Sequence, residues 1–302
     1  MSKNLSVKRY AESFQRVSGH RSPRRHLLLA VLAVVSASSV AVAQELPLGG
    51  TTQWEMEELE VIVTFLLFDP KDPGIALPKG LRFTSLSEID APEFQDHLKK
   101  NREQADWAFS FVEFVRPKMW LLDGKAPTLP ENGGIGVWFA PVNHSQLAGE
   151  VSKDRYDSVI APSPDAVLVL GLWIPDQKYV DHMRARGHHA EYGMVTLVQD
   201  GNGTFQGELQ LVDLNVKASA ACQGEVTSEP DPFTQVFFEP GEKVERVVVL
   251  GGRNARERDC TAEWSKKGDH PLSRGAFVGP TFLNVEGPLM GSAYRFGKET
   301  DQ

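Results

Sequence analysis

"MVTLVQDGNGTFQGELQLVDLNVKASA", residues 194–220, decides the fold class. Two strand-like runs flank Asp200-Gly201-Asn202-Gly203. Gly, Asn and Asp accept the positive φ of a tight turn between antiparallel strands, so the stretch is predicted to be a β-hairpin. Along its second strand Leu209 and Leu211 share parity with Asp213, Asn215, Lys217 and Ser219, whereas Val212, Leu214 and Val216 lie opposite. A face that turns polar while its reverse stays apolar either lines a wet space or emerges at a sheet edge. Lys217 lies on that face, and if desolvated there it would be an amine nucleophile.

Working outward, "LEVIVTFLLF" (59–68) carries almost no polar alternation, which predicts a strand covered on both faces. "DWAFSFVEFVR" (106–116) alternates, and Glu113 falls on the parity of Trp107, Phe109, Phe111 and Val115. A carboxylate there is either a strand-end group reaching water or an acid facing a closed interior. Further strands are expected at 134–142, 166–174, 234–239, 243–250, 275–285 and 291–296. "DAPEFQDHLKK" (90–100) has only a narrow apolar stripe at Phe94 and Leu98, so it is expected as a surface helix. The densely charged residues 251–274 are expected as a loop holding Cys260. Together these predict a mainly β (α+β) chain: a closed or strongly curved antiparallel β-barrel with two or three peripheral helices, a sandwich being the alternative.

Residues 1–43 are expected to lie outside that fold. Seven Lys and Arg precede the apolar run Leu27–Val35, and small residues follow to Ala41-Val42-Ala43. That is the layout of a secretory signal peptide cleaved near Ala43, leaving 44–302 as one β-rich domain that is periplasmic or extracellular. The apolar run is too short for a stable membrane span. Seven of the 32 basic residues and one of the 40 acids go with it, which leaves 25 against 39. An acidic surface of that kind argues against nucleic-acid partners. In an oxidising compartment Cys222 and Cys260 are expected to pair as a disulfide.

The densest chemistry lies in "DHMRARGHHAEYG" (181–193), which holds three of the eight histidines. Pro175–Arg186 reads as a helix ended by Gly187, with Lys178, His182 and Arg186 on one stripe. The chain then becomes extended, so His189 and Glu191 share one face and His188, Ala190 and Tyr192 the other. A His–Glu pair suits general acid–base work, with Arg186 positioned for an anionic substrate group and Lys217 or Glu113 as further polar groups of the site. A mononuclear metal site from His188 or His189, Glu191 and His144 is the other reading of this cluster, and an exposed strand start the third. No cofactor is expected: no Gly-rich phosphate loop and no G-x-S-x-G elbow is present.

"VIVTFLLFDPKDPGIALPKGLRF" and "LWIPDQKYVDHMRARGHHAEYG" resemble segments of acetoacetate decarboxylase-like proteins. The first matches a long strand followed by L-P-x-G-L, the second a strand, short helix and glycine-containing turn. The resemblance implies a mostly antiparallel barrel or cone enclosing an apolar cavity, a small-molecule ligand of carboxylic or keto acid type, and lyase chemistry. Decarboxylases of that family work through a lysine Schiff base. Their Pro-Lys-Lys run is absent: residues 188–195 contain no lysine, and Pro117-Lys118 lies elsewhere. A non-catalytic small-molecule-binding protein is the alternative function.

Overall fold

The computed structural model describes residues 51–77, 81–88, 92–143, 165–186, 188–227, 234–238, 245–250, 255–286 and 289–296. The expected signal peptide and His144 lie outside them. The strands are β1 (Thr51–Phe68), β2 (Arg82–Phe83), β3 (Ala108–Leu122), β4 (Ile135–Asn143), β5 (Asp165–Ile174), β6 (Glu191–Tyr192) and β7 (Met194–Gln199), followed by β8 (Thr204–Gln210), β9 (Leu214–Thr227), β10 (Thr234–Phe238), β11 (Glu245–Leu250), β12 (Ala255–Gly268), β13 (Ala276–Glu286) and β14 (Leu289–Phe296). Three helices accompany them among the described residues: α1 (Pro92–Lys100), α2 (Gln177–Arg184) and α3 (Pro271–Arg274).

The sheet is mostly antiparallel and nearly closed. Its order runs β14-β11-β10-β5-β4-β3-β1-β13-β12-β9-β8-β7, and β1 also pairs with β14. The first half of β1 (51–56) takes β14 and the second half (59–67) takes β13, so one long strand closes a ring and also starts a second arm. That arm curls back until β7 meets the residues before β4. The Gly134 N–H donates to the Val195 carbonyl at 2.9 Å and the Leu197 N–H to that of Asn132 at 3.1 Å. Two pairings depart from the antiparallel expectation: β10 and β6 each lie parallel to β5.

The long strands β1 and β3 form a wall between two cores, which is why residues 59–68 of β1 read as almost continuously apolar. Val61, Val63, Phe65 and Leu67 pack with Phe109, Phe111 and Val115 on one side, where α1 adds Phe94 and α2 adds Tyr179, Val180 and Met183. Ile62, Leu66 and Phe68 face the other side, with Phe114, Trp138, Trp173 and the inward residues of β7, β8 and β9. We call these the first and second cores. Within the second, the Trp138 indole N–H donates to Ser110 Oγ at 2.9 Å, and Ser110 donates on to the Leu66 carbonyl at 2.8 Å. No buried polar atom of this relay is stranded.

The turn at 200–203 forms as predicted. The Asp200 N–H bonds the Thr204 carbonyl at 2.9 Å and Gly203 has φ +82°. The Asp200 carboxylate gathers the N–H groups of Asn202 and Thr204, which fixes the turn. The second strand, however, does not run on to Ser219: it ends at Gln210, and β9 returns antiparallel to β8, with the Leu211 N–H bonding the Leu214 carbonyl at 2.7 Å. Leu209 and Lys217 therefore lie on different strands, Val212 is exposed in the turn between them, and Leu214 and Val216 are buried. The charged segment expected as a loop is instead the long strand β12. Cys260, Ala262 and Trp264 pack toward the second core while Asp259, Thr261, Glu263 and Ser265 are exposed, a true period of two that the charges concealed. Cys222 and Cys260 are directly opposite in the β9–β12 ladder with Cα atoms 4.0 Å apart, and they are joined as a disulfide. No described helix is long and apolar enough to cross a membrane.

Candidate functional site

Strand, helix and return segment place the 181–193 cluster. Asp176 caps α2: its side chain accepts from the N–H groups of Lys178 and Tyr179, and its second oxygen takes the Thr128 N–H at 2.7 Å. Burial pushes the Asp176 carboxyl up, but hydrogen bonds from Thr128, Tyr179 and Lys178 outweigh it, and the group sits below the ordinary carboxylate value. The helix ends at Arg184. Gly187 lies outside the described residues, yet beyond it the His188 N–H reaches back to the Met183 carbonyl at 3.0 Å.

Beyond this turn the chain alternates as the spacing predicts. His188 and Ala190 are buried, Ala190 against the first core; His189 and Glu191 are half-buried and meet, Nε2 to Oε1, at 3.7 Å. At that separation the two side chains are in contact without a hydrogen bond, and the contact is an ion pair only when His189 is protonated. The alternation stops at Tyr192, which is exposed although its parity is that of His188. Glu191 is held from a second direction, because β6 lies beside β5 with Glu191 opposite Trp173, whose indole N–H donates to Oε2 at 3.3 Å. The pair therefore lies at the end of the second core.

A residue the sequence reading passed over completes this end. His270 precedes α3, and its ring centroid lies 6.0 Å from each of Trp138 and Trp173. Its Nδ1 accepts the Leu272 N–H at 3.2 Å, so the neutral ring carries its proton on Nε2. Burial depresses its proton affinity below the histidine norm; the charges of Asp213, Glu191 and Asp72 pull the other way and Arg274 reinforces the loss. Half of the signal was present, since Pro271 suits the first position of a helix, but a histidine is not among the usual capping residues.

The other predicted residues fall elsewhere. Arg186 pairs with Asp123 and donates to His182 Nδ1 at 2.9 Å, tying the end of α2 to the turn after β3. His182 is thereby half-buried rather than part of a free basic stripe. Lys217 is exposed and lies 3.1 Å from Glu208 on the neighbouring strand, so solvent reaches its amine. Glu113 is half-buried on the first-core side, between Val63 of β1 and Val137 of β4 in register. His188 and His189 face opposite ways, and among the described residues no three His, Cys, Asp or Glu side chains converge on a metal position. Among the described residues, burial depresses the proton affinity of Lys266, whose Nζ donates to the Ser273 carbonyl.

No protein-family model matches the chain, and no curated protein matches it. Solved structures do. An acetoacetate decarboxylase-like enzyme from Sphingomonas wittichii RW1 superimposes with a TM-score of 0.50 at 10% identity, over 82% of this chain and 93% of that one. The chain has the acetoacetate decarboxylase-like fold. The enduracididine biosynthesis enzyme MppR complexed with pyruvate is also similar, with a TM-score of 0.46 at 12% identity over 83% and 91% of the two chains.

Proposed function

We propose that this protein is an exported barrel that binds a small organic molecule of carboxylic or keto acid type, and that His189 and Glu191 act on it as an acid–base pair. One observation carries the reading: the Glu191 carboxylate accepts from the Trp173 indole while lying against His189. A carboxylate oriented from outside and in contact with an imidazole is the arrangement that proton transfer needs. Schiff-base chemistry has less support, since Lys217 is exposed and ion-paired and residues 188–195 lack the lysine that the resemblance would put there. Export is supported by the N-terminal pattern and by the disulfide, a bond that persists in oxidising compartments.

Acetoacetate is the probe that separates the readings. Purified protein is titrated with it, assayed for turnover, and treated with borohydride. Binding with turnover and no trapped adduct is expected, with Glu191→Gln lowering turnover by about 100-fold while binding persists. A lysine adduct would sink the acid–base mechanism. Binding without turnover in the native chain leaves the non-catalytic binding protein, and no binding removes the ligand class. Mass analysis of exported protein is expected to show a chain starting at Gln44.

A further inference from the structure

Residues 268–275 tie three parts of the molecule together through charged and capping contacts. Arg274 forms a fork on the Asp72 carboxylate, Nε to Oδ2 at 2.6 Å and Nη2 to Oδ1 at 2.8 Å, and also reaches Asp269 Oδ1 at 2.6 Å. The Asp269 N–H bonds the Asp213 carbonyl in the turn between β8 and β9 at 3.0 Å. The single Ser273 hydroxyl lies 2.6 Å from the His270 carbonyl and 2.9 Å from that of Gly268, sharing its proton between them, and Leu272 is sealed in the second core. The side-chain cap of the single turn α3 is an imidazole nitrogen. Most helix caps are Ser, Thr, Asp or Asn, which keep their acceptor lone pairs through the physiological range. An imidazole does not.

We infer that His270 is a pH-operated latch: protonation of Nδ1 turns the acceptor that caps α3 into a donor and loosens residues 268–275 from the end of the second core. The charged groups facing the ring are Asp213 from the β8–β9 turn, Glu191 from β6, Asp72 from the β1–β2 loop and Arg274 from α3 itself. Trp138 and Trp173, which bound the ring on the sheet side, do not titrate. The two states differ in one contact. At neutral pH the Leu272 N–H has its acceptor and Leu272 stays in the core. With Nδ1 protonated, two donors face one another and the turn must open or the ring must rotate between the indoles. The sign follows from burial: the closed segment favours the neutral ring, so acidification through the histidine range shifts it toward the open form, and above that range nothing changes. Leu272 and Arg274 lie within the segment and the Asp213 carbonyl is bonded to Asp269, so the loosening is expected at the end of the second core, where Trp173 holds Glu191.

Amide hydrogen exchange of residues 272–275, corrected for intrinsic rates and followed from pH 7.5 to 5, tests the latch on the full chain. Protection is expected to fall by about fivefold, the usual worth of a helix cap, in the native chain. His270→Asn supplies an acceptor that does not titrate, and its protection is expected to stay flat. A flat native profile, or an unchanged fall in His270→Asn, overturns the inference. Long-range nitrogen–proton spectra of the native imidazole provide a check that needs no variant: an Nδ1–H tautomer at pH 7.5 would also overturn it.

Discussion

Glu191 owes its position to two neighbours from different parts of the chain, His189 two residues away and Trp173 across the parallel β5–β6 pairing. The first was legible in the sequence, because strand alternation puts residues i and i+2 on one face. The second was not, because nothing local says that residue 191 will lie beside residue 173. The consequence is testable at this scale. Trp173→Phe removes the donor and part of the buried indole, and it should lower stability by about 1–3 kcal/mol in urea unfolding. An unchanged midpoint would show that the indole does not hold Glu191 in solution. Glu113 shows the limits of parity reading: the spacing put it on the aromatic face, and it is there, half-buried between Val63 and Val137. Whether that face was closed depended on strands far away in sequence.

At the scale of the elements, α2 is set by one residue. Asp176 satisfies two N–H groups of its own helix and a third from Thr128, so it joins the cap to the loop before β4. Asp176→Ala should cost about 1–2 kcal/mol. Because its carboxyl sits below the ordinary value of 3.8, its contribution is complete above that pH and fades as pH falls through the lowered value. Acid unfolding of the variant should therefore lack that component, and an identical acid limb would count against the cap. The strand β12 is the element the sequence concealed. Two of its inward residues, Cys260 and Ala262, are small, and charges stand on both parities, with Arg258 and Lys266 on the inward one and Asp259 and Glu263 on the outward one, so the period of two carried little hydrophobic contrast despite Trp264. By contrast the hairpin of β7 and β8 was visible at once, since its turn residues and its strands pointed to the same structure.

For the whole molecule, stability rests on the wall that β1 and β3 form between two cores. Phe65 lies at the centre of the first, within 5.2–5.9 Å of the rings of Phe94, Phe109, Phe111 and Phe282. Phe65→Ala should cost about 3–5 kcal/mol by chemical denaturation, because five rings from four elements lose their common contact. The disulfide acts at the same scale, joining β9 to β12 across a separation of 38 residues. Removing it with the pair Cys222→Ala and Cys260→Ala should cost about 3–4 kcal/mol by loop entropy, and equal stability of the reduced and oxidised chains would contradict this. Periodicity along the chain was enough to read most of the strands other than β12, the burial of residues 59–68 on both faces, and the shared face of His189 and Glu191, because all of these follow from side-chain periods of a few residues. Long-range pairing set the rest: the two cores share one wall, Trp173 meets Glu191 across β5 and β6, and Arg186 and Lys217 are paired with Asp123 and Glu208. Those outcomes depend on which distant strands pair, and pairing is chosen by the burial of the whole sheet rather than by any stretch within it.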